Sequence, residues 1–229
     1  MNNLSKRIIT SIILIFILSI SLFYNKYIWL FTLIIVSLVL FIEFNDLVNK
    51  IWKKNKNTIV IVNIFSLLFL VILIYVSFDE HSELPLNLLF IFLICIFSDT
   101  GGYIIGNLFG GRKLTKISPN KTISGSIGSF VFSLLPILML FYLNEFYDTK
   151  NYFSIGALKN YYYLIPICLF LSLICQMGDL FISYFKRKAK VKNTGSILPG
   201  HGGLLDRIDG VIFVLPAAYL INKIFFLCL

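Results

Sequence analysis

Long apolar runs alternate with short polar segments along nearly the whole chain. The runs cover residues 8–24, 27–42, 59–78, 84–97, 125–143, 161–185 and 208–229. A helix needs about 20 residues to cross about 30 Å of hydrocarbon, so most of these runs approach the length of a membrane span. The fourth run is short, and we expect it to continue as a helix from Asp99 to Leu108. The pattern predicts an all-α polytopic integral membrane protein with about seven transmembrane helices and polar loops between them.

Composition agrees with this interpretation. Of the 229 residues, 58% are hydrophobic and 14% are charged, whereas soluble domains carry about 25% charged residues. The cysteines lie inside apolar runs and lack the paired spacing of metal ligands, so we interpret Cys95, Cys168, Cys175 and Cys228 as buried apolar side chains. Because neither a linker nor a low-complexity segment interrupts the chain, we expect one transmembrane domain over residues 1–229.

Basic residues are distributed unequally among the loops. With a cytoplasmic N-terminus, the cytoplasmic segments hold 16 of the 20 basic residues, namely Lys6, Arg7, Lys50, Lys53, Lys54, Lys56, Arg112, Lys113, Lys116, Lys121, Lys186, Arg187, Lys188, Lys190, Lys192 and Arg207. This bias predicts a cytoplasmic N-terminus and cytoplasmic polar loops, and we expect the membrane to be a bacterial inner membrane. The same bias explains most of the net charge of +9. No nucleic-acid-binding module surrounds these residues, so no nucleic-acid partner is expected.

The beginning of the chain is interpreted as a membrane span. Lys6 and Arg7 precede the first apolar run, as they would in a signal peptide, but no small-residue cleavage pattern follows. We therefore expect an uncleaved first helix.

The densest polar segment covers residues 183–209 and reads SYFKRKAKVKNTGSILPGHGGLLDRID. Its basic residues attract phosphate, and its glycines let the backbone approach a ligand closely. Asp179 precedes this segment, and Asp206 and Asp209 end it. Oxygen ligands favour Mg²⁺ over zinc or copper, so these three carboxylates are the predicted metal ligands, with room for a second cation. Alternatively, each Asp only pairs with a neighbouring Lys or Arg.

The order of these residues resembles the signature of the phosphatidate cytidylyltransferases, or CDP-diacylglycerol synthases, which are integral membrane enzymes. The matching positions are Ser183, Lys186, Arg187, Lys192, His201, Gly202, Gly203, Asp206, Arg207 and Asp209. One position departs from the pattern, because Asn193 stands where the family usually has Asp. An upstream segment, residues 98–128, resembles the second polar region of that family.

The resemblance implies transfer of a cytidylyl group from CTP to phosphatidic acid, with Mg²⁺ as cofactor and an active site at the cytoplasmic interface. The implied catalytic residues are Asp179, Lys186, Arg187, His201, Asp206, Arg207 and Asp209. The implied substrate-binding residues are Asp99, Ser118, Lys121, Ser183, Lys192, Asn193, Gly202 and Gly203. His201 would contact phosphate or orient a carboxylate, unless it only shapes the turn. The second histidine, His81, is expected to be exposed to solvent.

The upstream segment allows two interpretations. Gly102, Gly106 and Gly110 fall on one helical stripe after Asp99, which favours close helix packing. The family resemblance instead places Asp99 in the site, with Ser118 and Lys121 as contacts for the triphosphate. The segment lacks the Gly-Lys-Ser/Thr ending of a Walker loop, so no P-loop is predicted.

Other functions remain open at this point. Cytidylyl transfer to another lipid phosphate, or a CTP-dependent lipid kinase, would use the same groups. An ion or lipid transporter would place its charges near the bilayer midplane, whereas the charges here lie in loops and at the ends of spans, which favours catalysis. The expected partners are CTP, phosphatidic acid and the lipid bilayer, with a homodimer as an open alternative.

Overall fold

The computed structural model describes residues 3–83, 85–146 and 163–227, and these residues are mostly helical. The helices are α1 (Asn3–Phe23), α2 (Lys26–Ile51), α3 (Lys56–Glu83), α4 (Pro85–Phe109), α5 (Ile123–Phe132), α6 (Leu135–Phe146), α7 (Leu164–Lys188), α8 (Leu205–Ile208) and α9 (Val211–Leu227).

Within the described residues, five helical segments are long and apolar enough to cross a membrane. They are Lys26–Ile51, Lys56–His81, Pro85–Phe109, Ile123–Leu140 and Leu164–Lys188, and two shorter apolar helices cover Arg7–Phe23 and Val211–Ile224. The prediction of a helical fold with several helices that could span a membrane is confirmed for the described residues. The count of seven spans stays a prediction, because the two shorter helices fall below the length of the others.

Two predicted runs show how local sequence shapes the helices. α4 continues unbroken from Pro85 to Phe109, which confirms the expected extension beyond the fourth run, and it ends at Gly110, whose φ of 58° lies in the left-handed region. The fifth run instead divides into α5 and α6. Pro136 has no N–H to offer the carbonyl of Phe132, so the helix is interrupted between these two residues.

The described residues group into two compact units, Met1–Ser82 with Ile182–Asp209, and Glu83–Phe181 with Gly210–Leu229. In the first unit, α2 buries Trp29, which donates a hydrogen bond from Nε1 to the carbonyl of Ser77 (3.1 Å). Trp29 also stacks on His81 with 5.6 Å between ring centroids. His81 Nε2 bonds the carbonyl of Leu22 (2.8 Å), and only 7% of His81 is exposed. The expectation of a solvated His81 is therefore wrong, because its ring packs inside this unit.

In the second unit, α4 and α5 approach each other through glycine. A Cβ on Gly128 would lie 2.7 Å from the carbonyl oxygen of Gly101, and a Cβ on Gly125 would lie 2.8 Å from that of Gly102. Larger side chains would force the two backbones apart, so the packing interpretation of the glycine stripe holds for Gly102 and Gly106. It is wrong for Gly110, where a Cβ would meet nothing within 4 Å.

Three of the four cysteines also follow the prediction. Cys95, Cys168 and Cys175 are buried, and Cys228 lies outside the described residues.

Candidate functional site

A polar cavity of about 680 Å³ lies in the second unit. Its walls come from α4, α5, α7 and the loop that joins α4 to α5. The polar and charged side chains in its lining are those of Asp99, Tyr103, Asn107, Lys113, Ser118, Asn120, Lys121, Thr122, Ser126, Ser129, Gln176 and Asp179. Four predicted site residues, Asp99, Ser118, Lys121 and Asp179, are thus brought to one cavity.

Lys121 is held by the backbone of its loop. Its N–H donates to the carbonyl of Ser118 (3.1 Å), and its carbonyl accepts from the N–H of Leu114 (2.8 Å). Thr122 follows as the N-cap of α5, where its hydroxyl accepts a hydrogen bond from the N–H of Gly125 (3.1 Å). The Lys121 side chain therefore projects from a short, hydrogen-bonded turn that is fixed to the start of a helix.

Inside the cavity, the Lys121 ammonium forms an ion pair with the Asp179 carboxylate. The side chains are 27% and 28% exposed, so both remain accessible from the cavity. At such an accessible position, the ammonium can bind a phosphate and the carboxylate can bind a cation in place of their ion pair.

The cavity wall also contains polar groups that the sequence analysis did not select. Gln176 accepts a hydrogen bond from the Ser126 hydroxyl through Oε1, and its Nε2 lies 3.5 Å from the hydroxyl of Ser172. Ser172 in turn bonds Ser98 (2.8 Å). The available signal was the position of Gln176 in an otherwise apolar helix, three residues before Asp179, where a buried polar group needs partners.

The first unit holds the segment between α7 and α8, residues 189–204, which we call the signature loop. Asp206 fastens this loop, accepting hydrogen bonds from Lys186 Nζ (2.8 Å) and from the backbone N–H groups of Thr194 (2.8 Å) and Gly203 (3.2 Å). The Lys186 and Asp206 side chains are only 15% and 10% exposed. Asp206 thus pairs with Lys186, just as Asp179 pairs with Lys121.

A second carboxylate, from Glu43 of α2, also binds the signature loop. It accepts hydrogen bonds from the Thr194 hydroxyl (2.8 Å) and from the N–H groups of Leu204 and Leu205 (both 2.9 Å). Sequence reasoning missed Glu43 because it follows directly after the predicted second run, residues 27–42. Its position within an apolar stretch was the signal, since charge there is costly without partners.

His201 connects the signature loop to α1. Its Nδ1 lies 2.6 Å from the Thr10 hydroxyl and its Nε2 lies 3.4 Å from that of Ser11. Arg7 donates to the carbonyl of Gly200 (2.8 Å), and Arg207 donates to that of His201 (2.8 Å). Desolvation lowers the pKa of His201, and the positive charges of Arg207 and Arg7 lower it further. The neutral ring is therefore favoured near pH 7.

Comparison with known proteins identifies the family to which these site residues belong. A model of the cytidylyltransferase family matches residues 47–225, which is most of the chain. The chain belongs to the cytidylyltransferase family. The resemblance stated from the polar segments is thus confirmed, and both the cavity-lining residues and the signature loop lie inside the matched range, whereas Glu43 precedes it.

Three relatives similar to this chain are named phosphatidate cytidylyltransferase. A phosphatidate cytidylyltransferase of Rickettsia typhi is 35% identical over 222 residues, covering 96% of this chain and 92% of the relative. Those of Staphylococcus haemolyticus and Staphylococcus aureus are 47% and 44% identical over 131 and 140 residues. The matches span only 46% and 50% of these two staphylococcal proteins.

The remaining predicted residues of this cytidylyltransferase-family chain lie in the first unit. Arg187, Lys192 and Asn193 are exposed, and Ser183 is partly exposed. Asp209, the residue after α8, is only 9% exposed. Gly202 has a φ of 90°, a left-handed value that favours glycine.

The predicted metal ligands can be examined for fit. In the part of the chain that the structure describes, no group of three or more His, Cys, Asp and Glu residues is placed to hold a metal ion. Two carboxylates, Asp99 and Asp179, do line the same cavity. Mg²⁺ is usually held by one or two carboxylates together with substrate phosphates and water, so this pair fits such an ion.

Proposed function

We propose that this protein transfers a cytidylyl group from CTP to phosphatidic acid, giving CDP-diacylglycerol and pyrophosphate. The observation that carries the proposal is the polar cavity, where Lys121 and two carboxylates meet in a chain of the cytidylyltransferase family. The near full-length relative named phosphatidate cytidylyltransferase supports the choice of phosphatidic acid as the acceptor.

The proposed reaction needs charge neutralisation more than it needs a base. A phosphate oxygen of phosphatidic acid attacks the α-phosphorus of CTP, a new P–O bond forms, and the bond to the β-phosphate breaks so that pyrophosphate leaves. The attacking oxygen is already anionic near neutral pH, so no strong general base is required. Lys121 would bind triphosphate oxygens, and this contact would replace its ion pair with Asp179. The loop that holds Lys121 would keep the phosphates in line for displacement.

Asp179 is the principal metal ligand in this proposal, and Asp99 is a second carboxylate for the same cation. Bound Mg²⁺ would neutralise charge that develops on the phosphates. Asp206 and Asp209 remain part of the proposed set. Asp206 already accepts hydrogen bonds at both oxygens, so its ligation of a cation requires the bond to Lys186 to open.

An assay of purified protein in detergent tests the function. Labelled CTP, phosphatidic acid and Mg²⁺ should yield CDP-diacylglycerol and pyrophosphate, and excess EDTA should abolish the reaction. A lipid kinase would instead release CDP and phosphorylate the lipid. A transporter would form neither product. Undiminished activity in EDTA would refute the metal, and absence of nucleotide-lipid product with any lipid phosphate would refute the cytidylyltransferase assignment.

We also propose that the N-terminus is cytoplasmic and that the site faces the cytoplasm of a bacterial inner membrane. The distribution of basic residues supports this orientation. Lys116→Cys and Lys190→Cys should react with an impermeant thiol reagent only from the cytoplasmic side. Asp148→Cys, at a position outside the described residues, should react only from the opposite side. Labelling of Lys116→Cys and Lys190→Cys from different sides would refute the orientation.

A further inference from the structure

Glu43 is the most deeply buried carboxylate bound to the signature loop among the residues that the structure describes. It lies near the end of α2, and only 2% of it is exposed. A buried charge is strongly destabilising unless hydrogen-bond donors surround it. The hydrogen-bond donors around Glu43 therefore indicate its structural role.

The three donors to Glu43 come from the signature loop and from the first residue of α8. Oε2 accepts from the Thr194 hydroxyl (2.8 Å) and from the Leu205 N–H (2.9 Å), while Oε1 accepts from the Leu204 N–H (2.9 Å). Leu204 is the N-cap of α8 but supplies no side-chain cap. The carboxylate therefore caps α8 from another helix and ties its start to Thr194.

Two glycines of the signature loop make room for this carboxylate. A Cβ on Gly195 would lie 2.7 Å from Oε1 of Glu43, and a Cβ on Gly203 would lie 2.5 Å from Oε2. Both distances are shorter than a van der Waals contact allows. The loop backbone therefore packs directly against the Glu43 side chain, which leaves no room for larger residues at these two positions.

Thr194 links Glu43 to Asp206. Its hydroxyl lies 2.8 Å from Glu43 and 3.1 Å from Asp206, and its N–H donates to Asp206 (2.8 Å). Displacing Glu43 would therefore leave Thr194 bonded to Asp206 but detach both Thr194 and the start of α8, which carries Asp206, from α2.

From these contacts we propose that Glu43 is a positioning residue for cytidylyl transfer. It holds the signature loop and the start of α8 in the arrangement that the reaction needs, without touching a substrate itself. The inference rests on the proposed function for its kinetic consequence, while the anchoring of the loop can be measured independently.

The kinetic test uses Glu43→Gln. The amide keeps the size of the side chain, but its NH₂ group would face a donor where the carboxylate offered an acceptor. We expect kcat to fall by about tenfold or more while KM for CTP changes by less than about threefold, because the loop is misplaced and the cavity is intact. Asp46→Asn is the matched control, since Asp46 is an exposed carboxylate on the same helix, and it should leave both constants unchanged.

A second pair of variants tests the link through Thr194. Thr194→Val removes the hydroxyl and should lower kcat, whereas Thr194→Ser keeps it and should restore most of the rate. Combined with Glu43→Gln, Thr194→Val should cost less than the sum of the two single effects, because both changes break the Thr194–Glu43 hydrogen bond, while only Thr194→Val also removes the hydroxyl contact with Asp206. Fully additive losses, or a normal kcat in Glu43→Gln, would overturn the proposal. So would a smaller folded fraction with unchanged kcat per folded protein.

Hydrogen exchange measured by mass spectrometry separates this inference from the proposed function. In Glu43→Gln, peptides that contain Leu204 and Leu205 should exchange faster, while peptides from α4 and α5 should keep their wild-type rates. Unchanged exchange at Leu204 and Leu205 would overturn the anchoring role, whatever the activity. If the wild-type protein makes no CDP-diacylglycerol, the proposed function fails, and faster exchange still supports the anchoring.

Discussion

Two Lys–Asp ion pairs in this protein differ in how exposed they are and in what else their carboxylates bind. In the second unit, Lys121 and Asp179 form a pair whose side chains are 27% and 28% exposed, inside a cavity. In the first unit, Lys186 and Asp206 are 15% and 10% exposed, and Asp206 also accepts two backbone hydrogen bonds. The Lys121–Asp179 pair lines a cavity that a ligand can fill. In the Lys186–Asp206 pair, the carboxylate is also hydrogen-bonded to the backbone of the signature loop.

The difference shows that residue type alone does not assign a role to a carboxylate. An accessible pair can be separated by an incoming phosphate or cation at a small energetic cost. A shielded pair that also holds backbone N–H groups is expensive to open, since each group left unpaired costs about 1–3 kcal/mol. We therefore expect the two pairs to respond differently to the same substitution.

The largest effect is expected for Asp206→Asn, because the loop and its ion pair would weaken together. Activity should fall about 100-fold, equivalent to about 2.7 kcal/mol in transition-state stabilisation. The free energy of unfolding should fall by about 2 kcal/mol, since Lys186 loses its partner while largely shielded. Steady-state kinetics and denaturant unfolding in detergent measure the two quantities. Asp209→Asn should lose similar activity, and turnover within a few fold of wild type in both variants would make these carboxylates purely structural.

Asp179→Asn should separate activity from stability. We again expect a loss of activity of about 100-fold, but the free energy of unfolding should change by less than about 1 kcal/mol because the pair is accessible. Lys121→Gln should act in the same direction. Lys116→Gln is the matched control, being an exposed lysine of the same loop. A stability loss as large as that of Asp206→Asn would remove the distinction between the two pairs.

A smaller effect is expected from the pH dependence at His201. Its pKa is lowered from 6.5 in the folded protein, so the unfolded chain binds more protons as the pH drops. The stabilising contribution is therefore complete above pH 6.5 and is lost as the pH falls towards the folded pKa. Thermal unfolding measured between about pH 7.5 and 5.5 should show this loss in the wild type. His201→Gln should show a weaker dependence, and an identical pH profile in that variant would contradict the role of His201.

The smallest effect is expected for Asn193→Asp, which restores the residue that the family usually has. Asn193 is exposed, and the amide oxygen can serve an orienting role. Activity should change by less than about tenfold, or about 1.4 kcal/mol. An inactive wild type that this substitution rescues would show instead that the missing charge is essential, and would place a required anion in the signature loop.

The sequence by itself determined the helical membrane architecture and most of the chemistry-bearing residues. A segment in hydrocarbon must be apolar and must hydrogen-bond its backbone groups internally, as a helix does. The runs could therefore be located from the local pattern of apolar residues. Asp179 was selected because a charge near the end of an apolar run is conspicuous, whereas Asp99, Ser118 and Lys121 were assigned to the site from the family resemblance. Pro136 likewise explains the division of the fifth run, although the interruption was not predicted from the pattern.

The tertiary structure decided which of these residues meet and what each one holds. Glu43 and Thr194 are 151 residues apart in the chain, and Thr10 and His201 are 191 apart. Local periodicity carries no information about such pairs, because they form only when helices from distant parts of the sequence pack together. The same limit explains why His81 was expected in solvent and why Glu43 was overlooked: burial and hydrogen-bond partners are properties of the packed chain, and a residue's immediate neighbours in sequence do not specify them.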